Sequence, residues 1–269
     1  LLGHFFNWGL FGTLTVQAYV YYLAFPRDPI IPKMVVAFIY TLELLQTVLS
    51  TRDAFRAFGT GWGDLNQVDE VGWLWFSVPV LGSLISCTGQ LFYAWRIYIL
   101  SKRPSLAGIV ALLACVQAGF GIYSGVHAHE LGRFSQCKCF PFHGKIIERA
   151  IFIIWLGGSA LCDSILAACM IYYLQRAKTG FRTTTTLLSK FIRITVETGL
   201  TCAIFAILDL SLDLAFKKNN YHLAPSIALS KIYANSLLVV RMISHGLPVQ
   251  NKLNRSKPGP QCQSSYRRR

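Results

Sequence analysis

The amino-acid sequence predicts an all-α, polytopic membrane protein with seven transmembrane helices, its N-terminus outside and its C-terminus in the cytoplasm. Three observations predict this. Of 269 residues, 53% are hydrophobic and only 14% charged, whereas a soluble domain carries about 25% charged residues. The apolar residues are gathered into seven runs, the clearest of which, at 25 residues, is long enough to cross a hydrocarbon core of about 30 Å. Finally, lysine and arginine are unevenly shared. The first, third and fifth connections and the C-terminal tail carry 17 of them, the remaining connections 8. Cytoplasmic loops are the ones enriched in Lys and Arg, which sets the orientation.

The third run, Val71 to Trp95, is the clearest, with 25 residues free of Asp, Glu, Lys, Arg and His. Trp73 and Trp75 near its start, and Tyr93, Trp95 and Tyr98 near its end, suit aromatic rings at headgroup level. Ser83, Ser86 and Gln90 recur at helical spacing and share one face, which should look towards other helices. The first run is Phe5 to Phe25, closed by Pro26, Pro29 and Pro32. The second is Met34 to Leu49, with Glu43, Gln46 and Ser50 on one side. The fourth runs from Ser105 to Val126, before a connection from His127 to Arg149. The fifth is Ala150 to Leu174, interrupted by Asp163. The sixth, Phe191 to Phe216, contains Glu197, Asp209 and Asp213. The seventh, His222 to Val240, has Lys231 near its middle. Residues 1–246 thus form the transmembrane domain, and 247–269 a basic, disordered cytoplasmic tail. No internal repeat is visible, which disfavours an inverted-repeat transporter.

The net charge of +14 is placed in loops and tail, where it suits anionic lipid rather than nucleic acid. The expected partners are therefore the bilayer, anionic lipid at the basic cytoplasmic segments, and a ligand that the sequence does not name. The plasma membrane is the default location for this topology. Cys87, Cys115, Cys162, Cys169 and Cys202 lie inside apolar runs and read as small buried hydrophobes. Cys137, Cys139 and Cys262 lie in polar segments.

Charge at membrane depth costs at least about 2.5–3.5 kcal/mol per group, so Glu43, Asp163 and Lys231 are the sharpest candidates for function. The expectation is an intramembrane polar cluster in which Lys231 pairs with Asp163 or Glu43. Gln46, Gln90, Gln117, Glu197 and Asn235 would complete it. A purely structural ion pair is the competing reading. Glu197 pairs most simply with Arg193, one turn away, and Asp209 with Asp213 marks the outer end of the sixth run. The group His127, His129, Cys137, Cys139 and His143 matches no standard metal spacing, so neither metal nor cofactor is expected. Thr183 to Thr186 suit a helix N-cap beside basic residues. Catalysis finds no support, since Gly-x-Ser-x-Gly, His-Glu-x-x-His and phosphate-loop motifs are all missing.

Six stretches carry a family resemblance: residues 1–28, 42–55, 89–103, 157–184, 192–210 and 229–240, the last reading Leu-Ser-Lys-Ile-Tyr-Ala-Asn-Ser-Leu-Leu-Val-Val. The chain resembles a large family of fungal, chiefly basidiomycete, seven-helix integral membrane proteins known only as a domain of unknown function. The 157–240 part is the most specific. The resemblance implies that Asp163, Glu197, Lys231, Tyr233 and Asn235 occupy family motif positions; it implies no ligand. Arg241 to His245 and Gln136 to Lys145 depart from the family pattern.

The functional expectation is a receptor-like sensor without enzymatic activity. The alternative is a channel or transporter for a small solute or proton using the charged cluster. G-protein coupling has little support, because the third run ends Ala94-Trp95-Arg96-Ile97-Tyr98 and the seventh lacks Asn-Pro-x-x-Tyr. A retinal protein would rest on Lys231 alone.

Overall fold

The computed structural model describes residues 2–26, 28–64, 70–102, 104–132, 142–176 and 223–255, together with scattered helical residues between 200 and 215. Among the described residues the regular elements are all helical. They are α1 (Leu2–Ala24), α2 (Ile30–Phe55), α3 (Gly82–Ser101), α4 (Pro104–Leu131), α5 (Phe142–Arg176) and α6 (Leu223–Arg255). A π-helical turn, Arg56–Thr60, follows α2, and another, Phe76–Leu81, leads into α3.

Five helices among the described residues are long and apolar enough to cross a membrane: Ile30–Thr60, Phe76–Ile99, Pro104–Leu131, Ile153–Tyr173 and Leu223–Met242. The protein is a membrane protein by this measure. Helix α1 has 23 residues, roughly 35 Å at 1.5 Å per residue, but its Tyr, Thr, Gly, Asn and Gln content leaves it less apolar than those five. The sixth apolar run lies mostly outside the described residues.

Several boundaries differ from those expected. The third helix begins at Phe76 rather than Val71, because residues 71–73 make a turn in which Gly72 takes φ +56°. Pro79 then sits inside the π-helical turn, an arrangement that lets a helix absorb a missing N–H and a bulky ring. Helix α4 continues five residues past Val126, so His127 and His129 are helical and not part of the connection. It stops at Gly132, whose φ of +69° is the left-handed backbone that commonly ends helices. Trp75 stacks on His129 at 4.4 Å between ring centres, and the Arg52 guanidinium lies 5.6 Å over Trp73. These two tryptophans therefore grip neighbouring elements as well as marking the membrane edge. Helix α6 runs on to Arg255, so residues 247–255 of the expected tail are helical.

Side-chain contacts fix the helix directions. His4 meets Ser50, Thr15 meets Tyr40, and the Tyr22 hydroxyl donates to the Lys33 carbonyl, so α1 and α2 are antiparallel. Helix α4 opposes α3, with Gly125 against Trp75 and Gln117 against Gln90. Helix α5 opposes α4, with Cys162 at Val110. Helices α1 and α6 run parallel: Gly3 lies on Ala224, Leu10 accepts from Asn235, and Arg241 reaches Asp28 just beyond α1. Helices α5 and α6 are also parallel, with Leu156 beside Leu229 and Ser159 beside Tyr233. The end at which α1, α3 and α6 begin is called the upper end below.

Small residues bring the helices close. A Cβ on Gly125 would stand 2.7 Å from the Trp75 carbonyl oxygen, and one on Gly3 would stand 2.8 Å from the Ala224 Cα; neither backbone can retreat without separating its helices. The polarity of the bundle is the reverse of a soluble protein's. Phe5, Trp8, Tyr19, Ile31, Leu112 and Leu161 point outward, while Asn7, Glu43, Gln46, Gln90, Gln117 and Lys231 are buried. Large apolar side chains over the whole exterior suit lipid as the solvent.

Candidate functional site

Two polar clusters occupy the middle of the bundle. The first joins α2 to α6. Lys231 and Glu43 form an ion pair in which both side chains have zero exposure. The Lys231 ammonium also donates to the Glu43 carbonyl at 2.9 Å and to Gln46 Oε1 at 3.4 Å, and lies 5.4 Å from the centre of the Phe11 ring. Gln46 is held on both sides: its Nε2 donates to the Ser77 carbonyl at 2.9 Å, and its Oε1 accepts from the Ser230 hydroxyl at 2.7 Å. One turn on, Asn235 Nδ2 donates to the carbonyls of Lys231 at 2.7 Å and Leu10 at 3.2 Å. Every donor of Lys231 has an acceptor or a ring face, so this ammonium is saturated. On the carboxylate side, Glu43 Oε1 is buried and has no hydrogen-bond partner among the described residues, so the pair is closed on its ammonium half, where closure helps Coulombic attraction to offset desolvation.

The second cluster joins α3, α4, α5 and α6 around Asp163. The Tyr233 hydroxyl donates to Asp163 Oδ2, and Gln90 Nε2 donates to Oδ1 at 3.1 Å. Gln90 Oε1 in turn accepts from Gln117. Ser159, one turn before Asp163, has its hydroxyl 2.9 Å from that of Tyr233 and 3.5 Å from that of Ser86. Asp163 is partly buried, and among the described residues it forms no ion pair. The expected single cluster is thus divided. Glu43, Gln46, Lys231 and Asn235 come together in one place, while Gln90, Gln117 and Asp163 come together in another. Glu197, with Arg193, lies outside the described residues, as do Asp213, Thr183 to Thr186, Cys137 and Cys139.

A cavity of about 30 Å³ separates the clusters, in the upper half between α3, α5, α6 and the residues around Asp209. Its polar walls are Ser86, Ser159, Asp209, Ser226, Ser230 and Tyr233. It therefore touches the first cluster through Ser230 and the second through Ser159 and Tyr233. At roughly 10–15 Å³ per water on this measure, it has room for about two water molecules. Asp209, 1% exposed, accepts from the Ser226 hydroxyl.

Among the described residues, the lower half is packed with apolar side chains. Ala94, Ile97, Val110, Ala114, Cys162, Leu166, Met170 and Val240 form one buried apolar cluster. Beyond it, the Arg241 guanidinium holds Asp28 with Nη2 at 2.6 and 2.7 Å from the two carboxylate oxygens and Nε at 3.2 Å, and the Tyr21 hydroxyl donates to the same carboxylate. This clamp ties the α1–α2 corner to α6 at the end of its apolar span, Leu223–Met242.

Sequence reasoning missed the clamp, because nothing in one dimension pairs residues 213 positions apart. Ser226, Ser230 and Tyr233 were open to detection: their spacing of four and three places them on one face of α6. The same holds for Ser159 and Asp163. Among the described residues no three His, Cys, Asp or Glu side chains converge.

Residues 159–240 match the model of a family described as "Family of unknown function (DUF6534)". The matched segment begins within two residues of the part that the sequence marks as most specific, and it contains Ser159, Asp163, Asp209, Ser226, Lys231, Tyr233 and Asn235. No curated protein and no solved structure matches the chain.

Proposed function

We propose that the protein is a seven-helix membrane protein that acts as a receptor-like sensor, its N-terminus outside and its C-terminus cytoplasmic. What supports seven crossings is parity. Helices α5 and α6 run parallel, so the 46 residues between Arg176 and Leu223 must return across the bundle, and the sixth apolar run is the segment apolar enough to do so. Helix α1, parallel to α6 and without a charged side chain apart from His4, supplies the remaining crossing. The Lys and Arg distribution supports the orientation, and the basic loops and tail then face anionic lipid in the plasma membrane.

The observation that carries the sensor reading is the asymmetry of the interior. The cavity lies in the upper, outer half, whereas the lower half is filled by apolar side chains and shut by the Arg241–Asp28 clamp. A ligand of a few heavy atoms, polar and able to meet a carboxylate and several hydroxyls, would displace the cavity water. It would act on α6, which carries Ser226, Ser230 and Tyr233 above and Arg241 below.

The test uses the full chain in lipid nanodiscs, titrated with ammonium, methylamine, monovalent metal ions and small alcohols while thermal unfolding is followed. A saturable rise in unfolding temperature with one of them, lost in Ser159→Val and Ser226→Ala, is the expected result. Solute flux through proteoliposomes would overturn the sensor in favour of the transporter.

A further inference from the structure

Three carboxylates of the interior are held in two different ways. Glu43 faces the Lys231 ammonium and Asp28 the Arg241 guanidinium. Asp163 is held by a phenol and an amide, both neutral. Among the described residues, the groups that face it are Gln90 on α3, Gln117 on α4 through Gln90, Cys162 beside it on α5, and Tyr233 on α6. None of these is cationic. Lys231, two residues before Tyr233, turns towards α2 and is already saturated. At membrane depth a carboxylate without a counter-cation is expensive, and the species that can neutralise Asp163 in place is a proton.

A route for that proton exists. Tyr233 gives its hydrogen to Asp163 Oδ2, so the bond between Ser159 and Tyr233 must have Ser159 as donor. Ser159 is then left to accept, either from Ser86 or from water in the cavity that both serines line. The hydroxyls thus form a directed chain from the cavity to the carboxylate. We propose that Asp163 is a proton-binding site filled from the outer cavity through Ser159 and Tyr233. In the transfer, an O–H bond forms at Asp163 Oδ2 as the Tyr233 O–H breaks. Tyr233 takes the hydrogen of Ser159, and Ser159 takes one from a protonated cavity water, which leaves as neutral water. One proton enters, and both hydroxyls are restored. The protonated acid can itself donate, so occupancy of the cavity and protonation of Asp163 are linked. This access route rests on the cavity reading above; the proton site itself needs no ligand.

Infrared difference spectra of the full chain in nanodiscs, recorded over a pH series without added solute, test the proposal. The expected result is a carboxylic-acid C=O band that grows as pH falls, vanishes in Asp163→Asn, and is unchanged in the exposed control Glu130→Gln. Tyr233→Phe keeps the carboxyl but removes the relay. In that variant the band should change frequency and, after a pH jump, rise about tenfold more slowly, the rate penalty of one lost hydrogen bond. A wild-type protein without the band, a band that persists in a folded Asp163→Asn, or a Tyr233→Phe band of unchanged position and rate would each overturn the proposal. A titrating band in a protein whose unfolding temperature none of the solutes above raises would overturn the ligand reading and leave the proton site standing.

Discussion

The two polar clusters sit at similar depth in the same bundle, share α6, and are built on opposite principles. Around Lys231, opposite charges are brought into contact and every ammonium hydrogen is consumed, so the arrangement has one stable state. Around Asp163, the charge is met by neutral donors, one of them the Tyr233 hydroxyl, which can reverse its hydrogen bond, so two protonation states can share one geometry. The difference teaches where to look for function in an apolar solvent. A saturated pair of charges fixes helix packing, whereas a solitary carboxylate at the end of a hydroxyl chain is poised to exchange a proton.

Replacing one partner of the saturated pair should have the largest effect. Lys231→Ala leaves Glu43 buried and unpaired and is expected to cost about 3–5 kcal/mol, measured as denaturant unfolding in micelles. The double variant Lys231→Met with Glu43→Leu should recover most of that loss, because apolar residues of similar size avoid the desolvation cost. Recovery would mark the pair as structural; failure to recover would assign it a further task.

The lower clamp comes next. Arg241→Ala removes charge-assisted hydrogen bonds to Asp28 and should cost about 1.5–3 kcal/mol. It should also open the lower end, seen as faster labelling of a cysteine placed at Ile97. Tyr233→Phe deletes one donor to Asp163 and should cost about 1–2 kcal/mol. Smallest of all, Asp163→Asn keeps an acceptor for Tyr233 and should change stability by less than about 1 kcal/mol. Its effect should appear in pH dependence: the wild-type chain gains or loses a proton at this site, and the variant does not. A loss as large as that of Lys231→Ala would erase the distinction between the clusters.

Much of this was legible in one dimension. The inward face of Ser83, Ser86 and Gln90 follows from helical spacing alone, and all three are buried. The cost of charge in lipid singles out Glu43, Asp163 and Lys231 without any coordinates. Their assortment was not legible. Lys231 had two acidic candidates, and the choice of Glu43 depends on how α6 is rotated against α1 and α2, which the close seat of Gly3 on Ala224 helps to set. The same rotation turns Tyr233, two residues away and therefore on a different face, towards Asp163.

Composition and the spacing of apolar runs determined by themselves that the chain is helical and built for a membrane, because lipid admits only helices and closed barrels and long continuous apolar runs, unlike a barrel's short alternating segments, suit the helix. They also determined which polar residues had to face inward. Only the tertiary structure decided which of those residues meet, where a cavity remains, and that one end of the bundle is shut. These depend on helix rotation and close approach, which are set by packing between segments as far apart as Asp28 and Arg241.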